Sequence, residues 1–234
     1  MNSFAEAVAD IGEGSSIMVM TFIGPAGIPQ NLIMALSDLG PKDLTIVACS
    51  NFGFGVGVRE RPLARFVTPN ILVENGQVKK ALVTWDRGES GLASSFEKAV
   101  REKKVERELV PLGVLAHRLR AGGSGVGAFY SPIGVGTLYE QGKEKRVIDG
   151  REYLLEYPIR AQYGFVRAHR ADTLGNLIYK NTARGFNPLI AKACDVTIAE
   201  VDEIVEPGGI DPNCVVTPGV YVDRILRIPQ GGLR

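Results

Sequence analysis

Two glycine-rich stretches are places where the backbone could approach a ligand closely. The first is Gly24-Pro25-Ala26-Gly27-Ile28-Pro29, set between a short apolar run and a helical pattern. Glycine there lets the chain come near a bound group, and a helix N-terminus offers unpaired N–H donors to an anion. Its spacing is neither the dinucleotide fingerprint nor a P-loop, which needs Gly-Lys-Ser/Thr. Taken alone it reads as an ordinary βα turn. The second stretch, residues 121–137, holds six glycines in seventeen residues, Gly134 and Gly136 among them. Each glycine costs chain entropy on ordering. With Phe129, Tyr130 and Pro132 embedded in it, this density reads as a functional loop on a rigid scaffold.

Familiar catalytic constellations are missing. The chain has no G-x-S-x-G elbow, and a Ser/His/Asp arrangement would have to use His117 or His169. His117, beside Arg118 and Arg120, reads as a solvated helix residue; His169, between Arg167 and Arg170, reads as a strand-edge residue. Cys49 closes an apolar run and reads as a small buried hydrophobe, although strand ends of α/β sheets face active sites. Asp86 and Glu89, in a turn after an expected strand, are the best-placed carboxylates for a general base. A plain polar turn is the simpler account of them.

The elements that must position these groups follow from periodicity. Ser3 and Glu6 form a capping-box pattern before a helix carried by Phe4, Ala7, Val8 and Ile11. Residues 17–22 read as a buried strand. Pro29 then suits a helix start, and Leu32, Ile33, Leu36 and Leu39 give that helix its stripe up to Gly40 and Pro41. Residues 44–49 are the next strand. Strand, turn, helix and strand in about forty residues make a βαβ unit, hence a parallel sheet. Further strands are expected at 78–85 and 105–110, with helices at 92–104 and 114–119. The charge run at 97–108 reads as a solvated helix face. Beyond residue 125, Asp149-Gly150 between two strand-like runs is a hairpin signal. Strands follow at 163–169, 176–179, 196–201 and 221–228, with a helix at 188–194. The fold class is α/β: a single domain over residues 1–234, its sheet mostly parallel, flanked by helices, and more mixed in the C-terminal half.

Composition narrows the function. With 45% hydrophobic residues the chain can bury a large core, and a net charge of +1 with mixed signs gives no basic face for nucleic acid or an anionic membrane. A small anionic ligand stays possible. Cys49, Cys194 and Cys214 lie far apart, and no spacing suits a zinc site, so no metal is expected. Free thiols fit a reducing compartment. Residues 17–23 are too short to span a bilayer, and no apolar signal core opens the chain; a cytoplasmic location is expected.

Several segments resemble one family. LRAGG at 119–123, GVGAFYSPIGVGT at 125–137, RAHRADTLGNLIY at 167–179, ARGFNPLIAKAC at 183–194 and VEPGGIDPNCVVTPGVYVDRI at 205–225 resemble the A (alpha) subunits of family I CoA-transferases. The similarity runs from about residue 14 to 227. The resemblance implies ping-pong transfer of CoA between acyl groups through a glutamyl-CoA thioester, in which covalent capture splits one hard step into two. It places that glutamate in a Ser-Glu-Asn-Gly motif of a homologous B subunit, and this chain has no such motif. A heterodimer or heterotetramer with the B subunit is therefore implied, with acyl-CoA and a carboxylic acid as substrates and no cofactor beyond coenzyme A itself as substrate. Gly24, Gly27, Pro29, Cys49, Ser50, Leu112, Gly113, Gly134, Gly136 and Thr137 become the residues expected to wall the CoA or acyl site.

The departures from the family pattern carry information too. Thr21, Phe22, Ile23 and Gly24 stand where relatives begin the first loop with Gly-Gly-Phe-Gly. Cys49 and Ser50 stand where many relatives have polar residues, often Asn. Val110-Pro111-Leu112-Gly113 stands where relatives read Pro-Gln-Gly, and that glutamine is thought to stabilise the thioester oxyanion. Leu112 has no donor, and loss of one such donor costs roughly 100- to 1000-fold in rate. Two further readings stay open: a CoA-transferase-like hydrolase with Asp86 or Glu89 as base on a water, and a degenerate subunit serving as scaffold. A Ser-Glu-Asn-Gly glutamate in the partner favours transfer; its absence favours hydrolysis.

Overall fold

The computed structural model describes residues 3–22, 25–48, 67–86 and 93–233. Four strands come early: β1 (Ser16–Val19), β2 (Leu44–Ala48), β3 (Val78–Val83) and β4 (Glu106–Leu109). The later strands are β5 (Phe129–Ser131), β6 (Lys145–Ile148), β7 (Arg151–Glu156), β8 (Ala161–Asp172), β9 (Leu177–Ile178), β10 (Cys194–Val205) and β11 (Arg224–Arg227). The helices are α1 (Phe4–Val8), α2 (Gln30–Leu39), α3 (Asn70–Glu74), α4 (Ser95–Arg101), α5 (Leu112–Ser124) and α6 (Asn187–Ala193). The main sheet runs β11-β10-β8-β1-β2-β3-β4, all parallel, with the short β9 antiparallel to β8.

Alternation along the strands builds a layer on each face. Ile17, Val19, Ile46, Ala81, Phe165 and Ile198 face one side, where α1 to α4 cover them with Val8, Leu32, Ile33, Leu36, Leu72 and Phe96. Met18, Met20, Val47, Leu82, Val166 and Ala199 face the other, under Val114, Leu115 and Leu119 of α5 and Ile190 of α6. Full burial of each of the larger side chains, the alanines aside, contributes about 1.5–3 kcal/mol. The chain winds outward from β1 through β2 and β3 to β4, then returns and winds the opposite way from β8 through β10 to β11. The order therefore reverses between β1 and β8. In a doubly wound sheet the loops diverge there and leave a crevice at the C-terminal strand ends.

The C-terminal half is the more mixed one, as expected: β8, β10 and β11 extend the main sheet in parallel, with α6 carrying the chain back before β10, while β9 pairs antiparallel with β8. The expected antiparallel strands form a separate sheet, β5-β7-β6. Its hairpin turns on Asp149 and Gly150, both at positive φ (49° and 75°), as a type I′ turn requires. Ser3 accepts from the Glu6 N–H as expected. The helix expected over 92–104 is shorter: Ser94 caps α4 in a full capping box with Glu97, and Lys103 at φ 58° lies beyond its end. Helix α3 was not expected. No helix among the described residues is long and apolar enough to cross a membrane.

The glycine-rich run 121–137 is three separate pieces, not one loop. Its first part continues α5, because glycine there permits close packing. A Cβ on Gly122 would lie 2.1 Å from the Ile159 carbonyl oxygen, and one on Gly123 would lie 2.6 Å from Lys192 Cβ. Gly125, at φ 70°, ends the helix in the left-handed conformation, and β5 follows. Gly122→Ala is therefore expected to destabilise the protein by about 1–3 kcal/mol through overpacking. That exceeds the gain of up to about 1 kcal/mol in helix propensity. Urea unfolding of both proteins measures it, and an unchanged midpoint would show that α5 can shift to accommodate the methyl group.

Candidate active site

Two clefts open along the C-terminal edge of the main sheet. The larger, about 660 Å³, lies beyond β3 and β4 and is lined by Thr84, Arg107, Val110, Pro111, Thr137 and Leu138, among others. Pro111 precedes α5, so Leu112, half-buried, and the exposed Gly113 open that helix at the cleft's edge. A Cβ on Gly113 would stand 2.8 Å from Ile133 Cδ1, which keeps the loop after β5 close to the helix start. That loop is internally braced. Gly134 and Gly136 have φ of 91° and 75°, Thr137 Oγ1 donates to the Gly134 carbonyl at 2.7 Å, and the Gly136 N–H donates to Glu140 at 2.6 Å. Tyr139 Oη and Lys143 Nζ both donate to the buried Glu156 of β7, at 3.1 and 2.8 Å. The small sheet thus holds Thr137 at the cleft.

Asp86 is ion-paired with Arg107, which lines the same cleft. Its charge is committed to a structural partner. Gly24, Cys49, Ser50 and Glu89 lie outside the described residues. Gly27 and Pro29 belong to the other cleft's surroundings. Both are buried: a Cβ on Gly27 would stand 3.0 Å from the Ala183 carbonyl oxygen, and Pro29 precedes α2 with no side-chain cap to offer.

The second cleft, about 520 Å³, sits where the strand order reverses. Ala26, Arg167, His169, Lys180, Asn181 and Asp202 are among its walls. Strand β8 outruns β1 here and pairs with β10, Arg167 beside Glu200. The two apolar rows Tyr163/Val196 and Phe165/Ile198 give way, on the same face, to Arg167, His169, Glu200 and Asp202. Arg167 donates to Asp202 Oδ1 at 2.7 Å and lies 3.7 Å from Glu200, while His169 Nδ1 meets Asp202 Oδ2 at 3.0 Å. Asn187, fully buried, knits the walls together: it accepts from the Arg167 N–H and donates to the carbonyls of Gly27 and Ala183.

Over residues 1–227 the sequence matches the model of the coenzyme A transferase family. The chain belongs to that family. It is 43% identical over 226 residues to the A subunit of 3-oxoadipate CoA-transferase from Pseudomonas putida, spanning 97% of this chain and 92% of that one. It is 39% identical to the alpha subunit of acetate CoA-transferase from Escherichia coli, over 94% of this chain and 93% of that one. Among solved structures, an acyl-CoA transferase apoenzyme from Escherichia coli superposes with a TM-score of 0.80 at 25% identity. That match covers 97% of this chain and 46% of the other, so this chain spans about half of that polypeptide. Glutaconate coenzyme A-transferase from Acidaminococcus fermentans shares the fold at a TM-score of 0.78, 18% identity and coverage of 99% and 76%.

Within this coenzyme A transferase chain, the ionic cluster on β8 and β10 is a site that the sequence does not announce. His169 was expected as a strand-edge residue; it lies on β8 past the end of the β1 pairing, half-buried against Asp202. The signal available was a pair of ionisable residues two apart on each strand, and it gains meaning only once the two strands are known to pair. His117 is exposed as expected, its ring 6.0 Å from that of Phe129. Among the described residues, no three His, Cys, Asp or Glu side chains gather to hold a metal.

Glu200 is the most perturbed acid of the cluster. Complete burial pushes its carboxyl up to about 7, against the opposing pull of the Leu32 N–H, Arg167 and Asn31. Burial also acts on Asp202, but there His169 and Arg167 win and hold the carboxyl below its usual range. Glu200 accepts from the Asn31 and Leu32 N–H groups at 2.9 and 3.0 Å, capping α2 from another strand. A raised folded-state value means the native protein binds the extra proton. Stability from this group is full below the ordinary glutamate range and is lost as pH rises toward 7. The unfolding free energy should therefore fall between pH 5 and pH 8 by about 2–3 kcal/mol from this group. Urea titrations across that range measure the slope, which should flatten in Glu200→Gln; an equally steep slope in the variant would assign it to other groups.

Proposed function

We propose that this chain is the A-type half of a CoA-transferase that moves CoA between acyl groups by a ping-pong route, with the nucleophilic glutamate supplied by a homologous B subunit. The observation that carries this reading is the 43% identity to the A subunit of a 3-oxoadipate CoA-transferase, spanning nearly all of both chains. The A subunit of a succinyl-CoA:3-ketoacid coenzyme A transferase from Helicobacter pylori, 41% identical over 95% of this chain, points the same way. The chemistry at the clefts agrees. Asp86 and Asp202 are each held by an arginine, and Glu200 is buried under α2, so none of the three is free to attack a thioester. An arginine partner lowers a carboxylate's basicity and, with it, its nucleophilicity. The same pairing argues against a hydrolase that uses Asp86 as its base.

In this reading the C-terminal edge of the sheet is one wall of the active site, and the partner closes the other. Leu109, Val110, Pro111 and Leu138 offer an apolar surface in the larger cleft, suited to an acyl or pantetheine chain, while Arg107 and Thr137 supply polar contacts. The chain alone is expected to show no acyl exchange, and turnover should appear when the B subunit is added. Robust turnover by the lone chain would overturn the division of labour.

Leu112 sets acid specificity in this reading. Leu112→Gln would bring an amide donor to the start of α5, helping small oxoacids, and would bury that amide beside a longer native acyl chain at a cost. The expected result in the assembled enzyme is a shift in kcat/KM toward acetyl- or acetoacetyl-CoA and away from a longer acyl-CoA. An unchanged ratio between a short and a long substrate would remove Leu112 from the acyl pocket.

A further inference from the structure

The switch-point cleft carries a charge pattern that the larger cleft lacks. Of its ionised walls, Asp202 is satisfied on both oxygens, by Arg167 Nη2 and by His169 Nδ1. Arg167 is in turn flanked by Asp202 and Glu200. Lys180 lines the same cleft, and no carboxylate among the described residues pairs with it. Among the residues that line the cleft itself, Arg167 and Lys180 face the single carboxylate of Asp202. His169 adds to this: with Nδ1 committed to Asp202, Nε2 is the ring atom left for a ligand. Asn181, next to Lys180, is one of the few non-glycine residues at positive φ (51°), and the turn it opens lies over the cleft.

The walls are also held rigid, as a binding site requires. Asn187 ties the β8 backbone to Gly27 and Ala183. Gly185 comes so close to Met20 that a Cβ would lie 1.9 Å from the Met20 methyl carbon, and Phe22 packs edge-on to Phe186 at 5.8 Å. These contacts clamp residues 181–186 onto the end of β1 and fix the lysine-bearing turn opposite β8.

We propose that this cleft is an anion site that takes a carboxylate of the acid substrate, with Lys180 as its charge partner and His169 as its second polar contact. The inference rests on the transferase reading for its choice of ligand. Phosphate groups of coenzyme A present the same anionic chemistry, and the test separates the two sources. Lysine is a point charge that accepts either anion, so the discrimination must come from the measurement.

Isothermal titration calorimetry on the assembled enzyme would use two probes, succinate and adenosine 3′,5′-bisphosphate. Lys180→Met is expected to weaken succinate about tenfold or more, the usual effect of losing a charge-assisted hydrogen bond, and Lys180→Arg is expected to recover most of it. His169→Gln should weaken succinate to a smaller extent. Bisphosphate affinity should be the same in all four proteins. Lys180 is exposed, so the variants are not expected to unfold. If the bisphosphate alone weakens in Lys180→Met, the carboxylate assignment is overturned in favour of a phosphate. If neither probe responds, the cleft is not an anion site. The two readings fail separately. An enzyme that transfers CoA but binds succinate independently of Lys180 sinks only the anion site. One that transfers no CoA yet shows the Lys180 dependence sinks only the transferase assignment.

Discussion

A buried guanidinium at the reversal point of the sheet is the constraint on which much of this molecule depends. Arg167 is 7% exposed and lies between Glu200 and Asp202 on the neighbouring strand. An ion in such a place is costly unless paired, and removing one partner typically costs about 3–5 kcal/mol. The cluster therefore fixes the β8–β10 register on this face, while the Ala168/Val201 and Ala171/Ile204 rows pack into the apolar cluster of the other layer. Glu200 extends the constraint across the layer by receiving two N–H groups at the start of α2. Because Pro29 brings no capping side chain, the helix depends on this remote carboxylate.

The same cluster explains why a cleft persists where the strand order reverses. Apolar side chains at Arg167 and His169 would have continued the core and closed the gap between β8 and the loop after β1. Charged ones stop the apolar layer, and Asn187 then holds Gly27 and Ala183 at a fixed distance from β8. The position is the crevice that doubly wound sheets use for ligands. The larger cleft arises differently. There an extra antiparallel sheet, inserted between α5 and β8, delivers Thr137 and Leu138 to the ends of β3 and β4.

Membership of the coenzyme A transferase family gives the edge its meaning. The 3-oxoadipate CoA-transferase relative has its A half on a chain of nearly the same length, whereas the acyl-CoA transferase structure places a chain of this fold in about half of a longer polypeptide. In both arrangements the fold presents an edge at which, among the described acids, Asp86 and Asp202 are each paired with an arginine and Glu200 is buried. Asp86 and Asp202 hold Arg107 and Arg167 in place, and Glu200 holds the start of α2.

The sequence by itself determined the class of fold and the family. Apolar runs of four to six residues, a glycine after each early helix and Asp149-Gly150 are local signals, and local backbone chemistry decides them. It placed α2, α6, the β6–β7 hairpin and the parallel order of the early strands, and the family motifs lie along the chain in plain view. Only the tertiary structure decided the rest. Gly122 and Gly123 looked like loop residues because their cause, the approach of Ile159 and Lys192, comes from segments far away in the chain. Arg167, His169, Glu200 and Asp202 looked like scattered strand charges, since two strands must be paired in parallel register before their side chains meet. The antiparallel strands were legible, but their departure into a second sheet was not. Which sheet a strand joins depends on where earlier helices leave a free edge, and no short stretch of sequence records that.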